Sequence, residues 1–287
     1  LATAGDVPKL HRILGVRDLV LLNISAVVGL RWLAIAAQIG PSSLVLWSLG
    51  SLIFLAPLAF TVLELSSRLP GEGGLYLWSK TAFGDLHGFV AGWSYWVANL
   101  VFFPSLLLFL SGVSIYIAGD RWLPLAGSGL YNGTYGLLAL WAATILNIFG
   151  LRRARWLQNI GGIATWVVAA LVLLSCAWAW YRFGAATTIT ASNAMPDFGS
   201  MATFATLATI ALAYSGLELG PILGGESTQP RKTIPRAILV AGILIAAIYI
   251  LGTASLLVAL PARQIDLIGG IPQALAEVGK RIGFPLF

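Results

Sequence analysis

Charge is scarce in this chain. Of 287 residues only 10% are Asp, Glu, Lys or Arg, while 58% are hydrophobic. A soluble domain carries roughly 25% charged residues, and no water-soluble core of this length hides so much apolar surface. Cysteine is nearly absent. The single Cys176 sits in an apolar run, which excludes an intrachain disulfide and leaves no basis for a thiolate metal site. The two histidines, His11 and His87, lie far apart, and nothing else supplies metal-ligand spacing. The Gly-rich stretch Gly71-Glu72-Gly73-Gly74 lacks the Lys-Ser/Thr ending of a phosphate loop and follows an apolar run rather than a strand. Neither enzyme chemistry nor a cofactor is indicated. The apolar N-terminal stretch is not preceded by the basic segment, short apolar core and cleavage site of a signal peptide.

What the chain does have is long apolar runs, with a mean hydropathy of +0.87. Charge-free windows cover residues 32–63, 86–119, 122–151, 156–181, 198–217 and 237–262, and a further apolar stretch from residue 19 contains only Arg31. A helix needs about 20 residues to cross the hydrocarbon. The pattern predicts an all-α membrane protein with seven spans, at about 18–39, 43–65, 88–116, 131–149, 156–180, 202–225 and 236–260. The pI near 9.7 does not indicate nucleic acid, because the basic residues are scattered through short connections; the expected partner surface is the lipid bilayer.

Orientation follows from the basic residues. With the N-terminus cytoplasmic, the inner segments hold eleven: Lys9, Arg12, Arg17, Arg68, Lys80, Arg152, Arg153, Arg155, Arg231, Lys232 and Arg236. The outer segments hold five: Arg121, Arg182, Arg263, Lys280 and Arg281. The positive-inside rule therefore predicts a multi-pass protein of the plasma membrane with its N-terminus inside. Trp122, Trp156, Trp178, Trp180 and Tyr181 fall near span ends, as an interfacial aromatic belt does.

Two spans are interrupted by polar residues and glycine. The first breaks at Gly29-Leu30-Arg31-Trp32 and the sixth at Ser215-Gly216-Leu217-Glu218. A break frees backbone groups that cost several kcal/mol in hydrocarbon, so it is tolerated where it lines a cavity or binding site. The competing reading of each glycine is close helix packing. A seven-helix receptor or sensor is the alternative function; it places the N-terminus outside and has no need of two glycine-interrupted spans.

Three segments resemble the amino acid–polyamine–organocation superfamily of permeases. The first is Val27-Val28-Gly29 followed by Gly40-Pro41. The second, and the most specific, runs from Glu64, Ser67, Arg68, Pro70, Gly73-Gly74 and Tyr76 to Phe83-Gly84, Gly88-Phe89, Gly92-Trp93 and Trp96. The third is Tyr214-Ser215-Gly216-Leu217-Glu218, Gly225-Glu226, Gln229-Pro230-Arg231-Lys232 and Ile234-Pro235-Arg236-Ala237-Ile238. The resemblance implies the five-plus-five inverted-repeat fold, with the first seven of the usual twelve helices and truncation after helix 7. Residues 1–17 then form a cytoplasmic segment, 18–180 the first repeat, 181–201 an extracellular loop, 202–260 the start of the second repeat, and 261–287 an extracellular segment leading to a further helix. The closing Gly283-Phe284-Pro285-Leu286-Phe287 fits the approach to that helix.

The implied function is a secondary transporter, permease or exchanger, for amino acids or related amines. A coupling proton or sodium ion is a possible partner. The site residues expected from the breaks are Val28, Gly29, Leu30 and Arg31 in the first span and Ala213, Tyr214, Ser215, Gly216 and Glu218 in the sixth. Freed N–H groups suit a carboxylate, and freed carbonyls suit an ammonium. Asn99, Phe102 and Phe103 on the third span are candidates to cap the substrate, followed by Pro104, which is expected to kink the helix. Asn23 and Ser25 are expected either to line the path or to bond a neighbouring helix. Thr165, with Trp166 as alternative, lies near where some sodium-independent relatives carry a lysine. Glu226 and Arg231 are expected in a gate, and the loops Pro70 to Gly84 and Arg231 to Arg236 are expected as conformational rather than binding parts. Arg31 stands where the family carries a glycine. An Arg at mid-span costs at least about 2.5–3.5 kcal/mol, so it is expected to bind a substrate carboxylate, to pair with Glu218, or both. Leu217 stands in place of an aromatic gate residue.

Overall fold

The computed structural model describes residues 14–69, 73–148, 151–222 and 229–283. It is built of helices, with no strand among the described residues. In chain order these are α1 (Val16–Val27), α2 (Leu30–Ile39), α3 (Ser42–Arg68), α4 (Gly74–Phe83), α5 (Asp85–Ala118), α6 (Gly129–Ile148), α7 (Leu151–Phe183), α8 (Met201–Tyr214), α9 (Leu219–Ile222), α10 (Pro230–Ala259) and α11 (Gly270–Arg281). Helix α3 carries one π-helical stretch, Ser51–Leu55.

Among the described residues, α3, α5, α10 and the last part of α7 are long and apolar enough to span a membrane, and the bent pair α1–α2 adds a fifth span. The other two expected spans fall short for physical reasons. Helix α8 ends after 14 residues at the second break. Helix α6 spends its first turns on polar groups that bond locally and to α5: Asn132 accepts from Ser111 Oγ at 2.7 Å, and the Tyr131 and Ser114 hydroxyls meet at 2.8 Å.

Helix α10 is the centre of the fold. It packs on α1, α2, α3 and α7. Its apolar window is 44% buried, against 17% for α5, so α5 presents most of its surface outward while α10 is enclosed. Ala241, Ile245, Tyr249, Gly252 and Leu256 recur at helical spacing along the buried stripe. Gly252 admits Leu33 of α2, whose Cδ1 lies 2.9 Å from where a Cβ would stand.

Two expectations need correction. The stretch up to Gly84, expected as a loop, contains the ten-residue helix α4. Glycines and a proline around it suggested a loop, but its residues dock on the start of α5. A Cβ on Gly88 would lie 2.6 Å from Lys80 Cβ, and one on Gly92 would lie 3.3 Å from the Tyr76 ring. Gly84 (φ 93°) turns the chain between the two helices, and Lys80 pairs with Asp85 across that turn at 2.8 Å. This hydrogen bond and charge raise the Lys80 pKa above its ordinary value. Likewise, the segment at Arg231 to Arg236 is helical, forming the first turns of α10. Pro104 lies inside α5.

Beyond α10 the chain folds back. Thr187 Oγ1 donates to Leu260 O at 2.9 Å and accepts from Ala262 N at 3.1 Å, and the Ala186 and Thr187 N–H groups donate to Val258 O and Leu257 O. Helix α11 then buries Ile271, Ala274 and Val278 in contact with α7, α10 and α2.

Candidate functional site

The first break comes slightly earlier than the residue pattern suggested. Helix α1 ends at Val27, Val28 and Gly29 are extended, and Leu30 already opens α2. The two helix axes differ by 49°. Leu30, Arg31 and Trp32 therefore belong to the first turn of α2. Among the described residues the N–H groups of Leu30 and Arg31 have no acceptor, while Trp32 N donates to Gly29 O at 3.0 Å. Gly29 has φ −100°, a conformation open to any residue. What requires its small size is space, since a Cβ there would lie 2.8 Å from Trp32 Cδ1.

The second break lies between α8 and α9. Ser215 is extended (φ −70°, ψ 154°), and Gly216 has φ 120°, which L side chains rarely adopt. Here glycine is a conformational requirement. The turn is closed by Glu218, whose Oε2 accepts from Gly216 N–H at 2.8 Å. The turn also swings Leu217 into the core, fully buried. The carbonyls of Tyr214 and Ser215 accept no hydrogen bond among the described residues.

The two breaks touch. A Cβ on Gly216 would meet Val27 Cγ2 at 3.1 Å and Ala26 O at 3.6 Å. Both are tied to one residue of α10 (Tyr249), which the sequence reading passed over. Its hydroxyl accepts from Gly29 N–H at 3.1 Å, and its proton is within reach of Val27 O (2.7 Å) and Ala213 O (3.1 Å). These are the last carbonyls before the first break and beside the second. Tyr249 is held by stacking on Trp47 (centroids 4.4 Å, 8°), and Tyr214 meets both rings edge-on. Trp47 Nε1 donates to Thr253 Oγ1 at 2.9 Å, and the Tyr214 hydroxyl donates to Trp47 O at 3.2 Å. The available signal was position: Tyr249 sits mid-span, away from the interfacial zones where tyrosines of membrane proteins concentrate.

Arg31 does not pair with Glu218. It donates to Ser105 Oγ of α5 at 3.3 Å, and its guanidinium carbon lies 4.5 Å from the Trp32 ring centroid and 5.0 Å from that of Phe102. The cause is the break position: Arg31 projects from α2 toward α5, while Glu218 folds back on its own turn. Of the two phenylalanines, Phe102 reaches Arg31; Phe103 packs edge-on against Phe102. Asn99 Nδ2 donates to Tyr95 O of its own helix. Thr165 Oγ1 is bonded to Gly161 O within α7. Asn23 is buried, with Nδ2 on Leu19 O and Oδ1 against Gly220 of α9, so it lines no open path; Ser25 is exposed. Glu226 and the side chain of Arg231 lie outside the described residues. A cavity of about 140 Å³ runs between α2 and α8, lined by Trp32, Ala36, Trp47, Thr206 and Ala213 among others. It connects the flanks of both breaks.

Comparison with known proteins follows the same lines. The sequence profile described as amino acid permease matches residues 14–287. The chain is 26% identical over 266 residues to an uncharacterized transporter of Legionella pneumophila, covering 92% of this chain and 57% of that protein. It is 29% identical over 242 residues to the serine/threonine exchanger SteT of Bacillus subtilis, covering 82% and 51%. It is 28% identical over 239 residues to a probable agmatine/putrescine antiporter, AguD, of Lactococcus lactis, covering 82% and 49%. The chain spans about half the length of these relatives.

Proposed function

The chain belongs to the amino acid permease family, and on that premise we propose that its protein is a secondary transporter for amino acids or related organic cations. The family's fold is the five-plus-five inverted repeat, and this all-α, multi-pass chain matches its first seven helices. The single observation that carries the proposal is the meeting of the two breaks at one hydroxyl, Tyr249. Broken helices that abut at mid-span provide open donors on one side and open acceptors on the other. The N–H groups of Leu30 and Arg31, at the positive end of α2, receive the substrate carboxylate. The carbonyls of Tyr214 and Ser215 receive its ammonium. Val28, Gly29, Ala213 and Gly216 supply the surrounding backbone, Glu218 keeps the second turn closed, and Phe102 covers the site from α5 with Asn99 and Phe103 beside it.

Alternating access then follows from one helix group rocking against another around the bound substrate. Thr165 lies in the helix where coupling to a proton or sodium ion is expected, and Glu226 and Arg231 belong to the gate between the sixth and seventh spans. Relatives named as a serine/threonine exchanger and an agmatine/putrescine antiporter set the range of substrates. The decisive experiment is uptake by the full-length protein in liposomes preloaded with serine, threonine, glutamate, agmatine or putrescine. Exchange of at least one labelled compound from this set of amino acids and amines is expected. A protein that moves none of them, yet binds one, favours a receptor.

The orientation is a separate prediction. Eleven basic residues on one side against five on the other support an N-terminus in the cytoplasm. Single cysteines at positions 10, 153 and 192, treated with an impermeant thiol reagent in intact cells, are expected to react at 192 alone; the native Cys176 is buried. Labelling at 10 and 153 but not at 192 reverses the topology.

A further inference from the structure

Among the described residues, Arg31 is a cation with no anion beside it. Among the described residues, the ion pairs are Arg68–Glu64, Lys80–Asp85 and Arg281–Glu277. With those residues Arg31 makes one hydrogen bond, to a neutral hydroxyl, which leaves most of its five N–H donors open. Two aromatic rings, Trp32 and Phe102, hold the guanidinium in place. Glu218, the one acidic side chain at the breaks, is committed to the Gly216 N–H. A partly buried, ring-held guanidinium in an apolar span is costly unless an anion meets it, and its planar fork fits a carboxylate through two parallel hydrogen bonds.

The position of the guanidinium decides which carboxylate. In the transport reading proposed above, on which this inference rests, the α-carboxylate is met by the backbone N–H groups that open α2 and the α-ammonium by carbonyls of the second break. The Arg31 side chain leaves that backbone and reaches across to Ser105 on α5. We infer that Arg31 receives a second carboxylate, carried on the substrate's side chain, so the substrate class is the acidic amino acids. The same charge repels a second ammonium, which disfavours diamines such as putrescine.

The test compares L-glutamate, L-glutamine and putrescine as labelled substrates of the full-length transporter in liposomes. Glutamate and glutamine have nearly the same shape and differ in the charge that Arg31 would read. The expected parent preference for glutamate over glutamine is about 10- to 100-fold in transport efficiency, the range of one charge-assisted hydrogen-bonded contact, with no putrescine uptake. Arg31→Gln should collapse that preference. Arg31→Lys should retain part of it, and it carries the test if Arg31→Gln does not fold. A parent that carries glutamine as efficiently as glutamate, or that takes up putrescine, overturns the inference while leaving transport intact. Equal losses for glutamate and glutamine in Arg31→Gln also overturn it, assigning the arginine a partner within the protein. No uptake of any amino acid or amine by the parent removes the transport reading and this inference together.

Discussion

Tyr249→Phe is expected to lower substrate affinity about 100-fold and to destabilise the folded protein by about 2–4 kcal/mol. The substitution keeps the ring, its stacking on Trp47 and its edge contact with Tyr214. It removes one oxygen. That oxygen accepts from Gly29 N–H and shares its proton between Val27 O and Ala213 O. A buried donor or acceptor left without a partner costs about 1–3 kcal/mol, and at least one of each is stranded here. The loss falls on the backbone at both breaks, so geometry at the proposed site should suffer along with stability. Thermal unfolding of the purified protein and equilibrium binding of a transported substrate measure the two effects. Unchanged values of both would show that the hydroxyl is incidental and that the breaks are held by packing alone.

Gly216→Ala is expected to reduce transport by at least about 100-fold, whereas Gly29→Ala should cost about tenfold or less. The asymmetry comes from the backbone. Gly216 has φ 120°, where a residue with a Cβ costs of order 1–3 kcal/mol, and the added methyl would also press on Val27 Cγ2 at 3.1 Å. Relaxing toward an ordinary φ would move Leu217 out of the core and pull Glu218 from the Gly216 N–H. Gly29, with φ −100°, takes alanine without backbone strain, and its obstacle is the Trp32 ring, a side chain that can shift. Uptake normalised to protein in the membrane gives the comparison. Equal losses at the two positions would mean that spatial crowding, not backbone conformation, governs the second break.

What could be read without coordinates was local. Hydropathy is a sum over neighbours, so the long spans and the scarcity of charge between them were legible as a membrane protein. Breaks are local too: glycine and polar side chains inside an apolar run weaken the helix where they stand, and interruptions near Gly29 and Gly216 follow. The permease resemblance rested on short contiguous motifs, and the family profile covers the same stretch. Signals of the same local kind misled where tertiary packing overrode them. The glycines before and after residues 74–83 suggested a loop, but close contact of Gly88 and Gly92 with Lys80 and Tyr76 makes that segment a docked helix.

Partner choice was decided only in three dimensions. Arg31 and Glu218 were the two opposite charges of the breaks, and charge alone recommended pairing them. A start of α2 at Leu30 points the arginine toward Phe102 and Ser105, and the left-handed turn at Gly216 directs the glutamate onto its own backbone. The contacts of Tyr249 bridge 220 and 222 residues of sequence to the first break and 36 to the second, and no periodicity in α10 marks its hydroxyl as their common partner. The sequence by itself determined that the backbone is open at two places in the membrane. The tertiary structure decided that one side chain, 222 residues from the first break and 36 from the second, closes on both, because a hydrogen bond depends on distance in space and carries no trace in the neighbouring residues.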